Sequence, residues 1–137
     1  MTQDSNNPTL RQAPPTGSLD VRVLIVDDIP QVRLDLRLLL ELVEKIQVVG
    51  EAANGSDAIA KAKELHPSVV IMDVEMPGMD GFEATRQIIS GGLAAKVIIL
   101  SIHAGPEILR QAVLSGASEL IQKGENIEHL IHSILQS

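Results

Sequence analysis

A chain of 137 residues, 45% hydrophobic and 21% charged, has the size and balance of one globular domain with a core of its own. Eleven basic residues against 18 acidic ones, a formal charge of −7 and Phe82 as the single aromatic argue against nucleic-acid binding, which needs clustered cations and aromatic stacking platforms. The lack of cysteine excludes disulfides, thiolate metal sites and a thiol nucleophile, and no apolar run approaches the ~20 residues of a membrane helix.

Residues 1–19 are rich in Asn, Gln, Pro, Ser and Thr, hold no apolar segment of the signal-peptide kind, and read as a disordered tail. Residues 20–137 read as one folded domain of a cytoplasmic protein. VRVLIVD (21–27) is a short β-branched run ending in Asp, a buried strand. Pro30 opens a helix expected to reach about Lys45, and IQVVGEA (46–52) is a second strand. Ala58, Ile59, Ala62 and Leu65 fall at helical spacing within 55–65, and His66-Pro67 ends that helix. SVVIMD (68–73) is the third strand and 81–90 the third helix. AKVIILS (95–101) and 106–115 form the next pair, stopped by Gly116, and SELIQK (118–123) is the fifth strand. Ile127, Leu130, Ile131, Ile134 and Leu135 give the last helix one apolar face.

Five alternating βα units follow. Strands that are apolar throughout need cover on both sides, which predicts an α/β fold, a doubly wound parallel five-stranded sheet with helices on each face. In such sheets ligands bind beyond the carboxyl ends of the strands. At that rim the first strand ends in Asp27-Asp28, the third in Asp73, the fourth in Ser101 and the fifth in Lys123.

Each of these has an ordinary reading: a helix N-cap for Asp27 or Asp28, a cap or strand end for Ser101, a solvated cation for Lys123, a turn residue for Asp73 before Met76-Pro77-Gly78. Together they are harder to dismiss, because two carboxylates ~4 Å apart repel by about 4 kcal/mol at an effective dielectric of 20. Three of them must hold protons, pair with cations or bind a metal. Oxygen ligation without cysteine points to Mg2+.

The acidic pair, the MDVEMPGMDG segment, Ser101 and Lys123 stand 45, 28 and 22 residues apart along the chain, counted from Asp28. In order and separation they resemble the receiver domain of two-component response regulators, and the resemblance covers residues 20–136. VVGEAANG and LSGAS resemble the NarL/LuxR-type branch, which often carries a DNA-binding domain. The resemblance implies the CheY-like, flavodoxin-like strand order 2-1-3-4-5. It implies that Asp73 accepts a phosphoryl group from a sensor histidine kinase. It further implies that Asp28 and Asp73 ligate Mg2+ directly, that Glu75 offers its backbone carbonyl, and that Asp27 acts mainly through water. Ser101 and Lys123 would then engage the phosphoryl oxygens. The domain is expected to assist its own phosphotransfer and dephosphorylation rather than to be an enzyme, and to be the receiver part of a transcriptional regulator.

One departure concerns the switch. Family members link signalling to an aromatic three residues before the lysine, and that position is Leu120. Glu75 and His103, two residues beyond Asp73 and Ser101, stand where the family tunes phosphoryl lifetime. His129 and His132 read as exposed.

On the first helix Val32, Leu36, Leu39, Leu40 and Val43 form a core face, while Leu34, Leu38 and Leu42 form a second stripe, the basis for a homodimer or partner contact. A phosphorylation-independent binding module of the same fold is the main alternative. An aspartyl phosphohydrolase would place a second Asp where Glu75 stands, and a flavin or nucleotide carrier would need Gly, Ser or Thr where the chain has DDIPQ.

Overall fold

The computed structural model describes residues 20–76 and 78–136; the expected tail at 1–19 lies outside them. The chain alternates β1 (Val21–Val26), α1 (Pro30–Leu40), β2 (Ile46–Ala52), α2 (Gly55–Leu65), β3 (Val69–Asp73), α3 (Gly81–Ser90), β4 (Lys96–Ser101), α4 (Pro106–Ser115), β5 (Glu119–Gln122) and α5 (Ile127–Leu135). All pairings are parallel and the sheet order is β2-β1-β3-β4-β5. This is the five-stranded doubly wound arrangement expected from the strands' composition.

The unbroken apolar runs are explained by two cores. Leu24, Val26, Val70, Met72, Val97 and Ile99 face Ala58 and Ala62 of α2, Ala84 and Ile88 of α3, and Ala112 of α4. Their neighbours Val23, Ile25, Val69, Ile71, Ile98 and Leu100 face Leu40 of α1 and Leu130 and Ile134 of α5. Side chains that alternate along a strand thus meet helices on either side, and no polar alternation is tolerated.

Local chemistry fixes where the helices begin. Asn54, Asp80 and Asn126 cap α2, α3 and α5 by accepting from the N–H of Asp57, Glu83 and Glu128 at 2.8, 2.7 and 2.8 Å. Pro30 and Pro106 open α1 and α4 without a side-chain cap. Two arginines of α1, Arg33 and Arg37, clasp Glu51 of β2 at 3.0 and 2.6 Å and lock the helix over the strand.

Helix α1 is shorter than expected. It ends at Leu40, not near Lys45, because the N–H groups of Leu42 and Val43 turn back to Leu39 and Leu40, three residues behind, and the tightened turn delivers the chain to β2. Two consequences follow for the leucines. Leu42 stands in that turn, 82% exposed and off the helix, so only Leu34 and Leu38 share an exposed helical stripe, at 46% and 56%. Leu39 is 43% exposed rather than a core residue, because Leu40 takes the position over the sheet and Leu39 falls at the edge of the groove between α1 and the start of α5.

Candidate functional site

The carboxyl edge of the sheet delivers its polar side chains from four adjacent strands. Asp73 ends β3, the most deeply buried strand, and is 1% exposed, as is Asp27 just past β1. Apolar residues at Val69, Val70, Ile71 and Met72 pin β3 between β1 and β4, and this fixes the depth at which the Asp73 carboxylate sits. Behind it, Gly81 makes a close approach: a Cβ there would lie 2.4 Å from the Asp73 carbonyl oxygen and 2.8 Å from Val74 Cα. Only a residue without a side chain lets α3 start so near the strand end. Pro77, in the same loop, lies outside the described residues.

Oxygens of Asp27, Asp28 and Asp73 lie within 4.8 Å of one another, and among the described residues no other group of three acidic or imidazole side chains comes together in this way. Neither Asp27 nor Asp28 is the N-cap of α1; that residue is Ile29, whose N–H is held by Asp27 Oδ1 at 2.9 Å. Lys123 Nζ reaches between the two buried acids, 3.1 Å from Asp27 Oδ2 and 3.3 Å from Asp73 Oδ1. It is a partly buried counter-ion and not a fully solvated cation. Asp73 Oδ1 also accepts the Glu75 N–H at 3.0 Å, whereas Asp73 Oδ2 is buried with no partner.

The electrostatics follow from this geometry. Burial pushes the Asp73 carboxyl up from the ordinary 3.8 to about 6, against the Glu75 N–H, with the Asp27 charge adding to the rise and Lys123 opposing it. Burial pulls the Lys123 ammonium down, but its hydrogen bond to Asp27 and the charges of Asp73 and Asp27 more than offset this, and it is held above its usual range. One lysine cannot balance three carboxylates. A set of converging oxygens, one orphaned in the interior, fits a hard divalent cation with oxygen ligands.

Ser101, fully buried at the end of β4, is not a helix cap; the N-cap of α4 is Gly105. Its hydroxyl donates to Glu75 Oε2 at 2.7 Å and accepts the His103 N–H at 3.0 Å. The engagement of the Glu75 side chain with Ser101 was not legible in the sequence, because a residue two beyond an acceptor gives no hint of where its side chain turns. Arg33 was missed as well: its Nη1 donates to the Asp27 carbonyl at 2.7 Å and steadies the β1–α1 turn. His103 and His132 are exposed, while His129 stands between Glu119 and Glu125 at 2.7 and 3.4 Å. Leu120, in the position of the family's aromatic, is half-buried against the α3–α4 side of the core.

Comparison with known proteins agrees with this architecture. Residues 23–135 match the family described as the response regulator receiver domain. Response regulator GacA of Pseudomonas aeruginosa is 36% identical over 116 residues, which cover 85% of this chain and 54% of that protein. Response regulator UvrY of Escherichia coli is 36% identical over 114 residues, 83% of this chain and 52% of that protein. The chain therefore spans about half the length of these curated relatives. Among solved structures, the signal receiver domain of NarL from Mycobacterium tuberculosis superposes with a TM-score of 0.80 at 32% identity, covering 85% of this chain and 94% of that one.

Proposed function

The chain belongs to the response regulator receiver domain family, a module of phosphorylation-based two-component signalling, and from that premise we propose that Asp73 is its phosphoacceptor. The observation that carries this reading is the asymmetry of the Asp73 carboxylate. Oδ1 is held by Lys123 and the Glu75 N–H, while Oδ2 is buried without a partner beside two further acids.

Receiver domains of this family take their phosphoryl group from histidine kinases and bind Mg2+ in an acidic pocket. In this chain Asp28 and Asp73 would hold Mg2+, with the Glu75 backbone carbonyl as a further ligand and Asp27 acting through water. When bound, the ion neutralises the acids and the incoming phosphoryl oxygens, which a carboxylate cannot approach unaided. The remaining work belongs to the protein. Oδ2 attacks phosphorus, the phosphorus–nitrogen bond to the kinase histidine breaks, and the imidazole leaves with that electron pair. Lys123 holds the other carboxylate oxygen in place and offers its charge to the transferred group. The Ser101 hydroxyl, at the end of the neighbouring strand, donates to a phosphoryl oxygen.

The function is a phosphorylation-controlled change of a protein-interaction surface, as the receiver part of a cytoplasmic transcriptional regulator with no catalytic activity of its own beyond gaining and losing the phosphoryl group. Homodimer contact through the exposed Leu34–Leu38 stripe, with Leu42 at its rim, belongs to the same proposal. A binding module that is never phosphorylated leaves the buried acidic cluster and the orphaned oxygen without a use. Incubation with acetyl phosphate and Mg2+, followed by intact mass measurement, tests the reading. One phosphoryl group is expected on the wild type, lost with EDTA and lost in Asp73→Ala. Equal addition to Asp73→Ala, or none to the wild type from either acetyl phosphate or a cognate kinase, would overturn it.

A further inference from the structure

The Ser101 hydroxyl has one hydrogen to give, and that hydrogen is already given to Glu75 Oε2 at 2.7 Å. The other oxygen of the same carboxylate, Oε1, stands 3.4 Å from the Ile102 N–H. Glu75 thus sets an anion with two acceptor oxygens across the end of β4, on the serine hydroxyl and near the next backbone N–H. That is the pattern of donors a phosphoryl group on Asp73 would need. The loop after β3 and the end of β4, which are adjacent through the Asp73–Leu100 pairing, are clipped together by this side chain.

We propose that Glu75 is an internal competitor for the phosphoryl group: its carboxylate occupies Ser101 and must be expelled before Ser101 can engage phospho-Asp73. The inference rests on Asp73 being the acceptor. A phosphoryl group brings close to two negative charges at neutral pH, and these repel Glu75 while drawing the Ser101 hydrogen. Glu75 is only half-buried, so its carboxylate can leave to water without desolvation elsewhere. The movement set off by phosphorylation is then the departure of Glu75 and the release of the β3–α3 loop from β4. Such a movement requires no ring at Leu120. Glu75 acts as a positioning residue through Ser101, not on the reacting atoms.

The test is a double-mutant cycle read by binding. Beryllium fluoride with Mg2+ serves as the phosphoryl stand-in, titrated into 15N-labelled wild type, Glu75→Ala, Ser101→Ala and the double variant, with the Ile102 and His103 amides as reporters. Glu75→Ala should tighten binding in the wild-type background about tenfold more than it does in the Ser101→Ala background, as expected for one hydrogen bond to a charged group. Glu75→Gln, which keeps an acceptor for Ser101 without the charge, should fall between Glu75→Ala and wild type. Equal tightening in both backgrounds would mean simple charge repulsion and would overturn competition. Equal affinities for wild type and Glu75→Ala would also overturn it, while leaving Asp73 as acceptor. Binding to none of the four proteins would instead remove the Asp73 reading, and competition with it.

Discussion

Replacing Asp73 by Asn keeps the shape of the side chain and an acceptor oxygen for Lys123 and the Glu75 N–H, and removes a buried charge. With the carboxyl raised from 3.8 to about 6, the folded protein prefers the protonated acid. A group of this kind contributes its full stability below the unfolded value and loses it as pH rises through the folded one. Between pH 3.8 and just above 6 the wild type therefore forfeits roughly 2 pH units of proton-binding energy, about 3 kcal/mol at 1.36 kcal/mol per unit. Asn at 73 does not titrate. In EDTA, urea unfolding should give similar stabilities for wild type and Asp73→Asn near pH 4, and the variant should be more stable by about 2–3 kcal/mol at pH 8. Added Mg2+ should raise the wild type and leave the variant nearly unmoved, since a divalent cation relieves the repulsion that Asn has already removed. A wild type as stable as Asp73→Asn at pH 8 in EDTA would refute the claim that the Asp73 charge is held at a cost.

Other perturbations follow from the same geometry. Lys123→Met leaves Asp27 and Asp73 buried without their shared cation, and should lower stability at pH 8 in EDTA by about 2–4 kcal/mol, measured as a shift of the urea midpoint, with partial recovery in Mg2+. Gly81→Ala drives a methyl group to within 2.4 Å of the Asp73 carbonyl oxygen and should cost about 1–3 kcal/mol by thermal unfolding, with slower phosphorylation by acetyl phosphate because the strand end itself must move. Leu34→Glu with Leu38→Glu, at 46% and 56% exposure, should leave the fold unchanged by circular dichroism and reduce the mass seen by light scattering from dimer to monomer; a monomer mass in both proteins would remove the dimer proposal.

Much of the fold could be read because the cores leave a plain signature. Residues 23–26, 69–72 and 97–100 are apolar at every position, and only a strand covered on both faces has use for such a run. The rim residues Asp27, Asp73 and Ser101 were legible because each directly follows such a run, and Lys123 because it follows the short fifth strand, so strand direction alone carries them to one edge. The end of α1 was not legible. ELVEK (41–45) continues a helical pattern on paper, and the competing requirement, a tight turn that brings Ile46 alongside Val21, is a tertiary one. The same holds for Leu39 and Leu40: neighbouring leucines on a wheel differ by about 100°, and which of them lies over the sheet depends on how the helix is rolled, here set by Arg33 and Arg37 against Glu51. Side-chain partnerships across loops, above all Glu75 with Ser101, leave no trace in spacing.

The central claim is that phosphoryl transfer occurs at one carboxylate among three neighbours. Borohydride reduction of the phosphorylated protein converts an aspartyl phosphate to homoserine, and peptide mass spectrometry then locates it. Homoserine is expected at position 73, with Asp27 and Asp28 unaltered. Homoserine at either of those positions, or phosphorylated protein with an intact Asp73 after reduction, would contradict it.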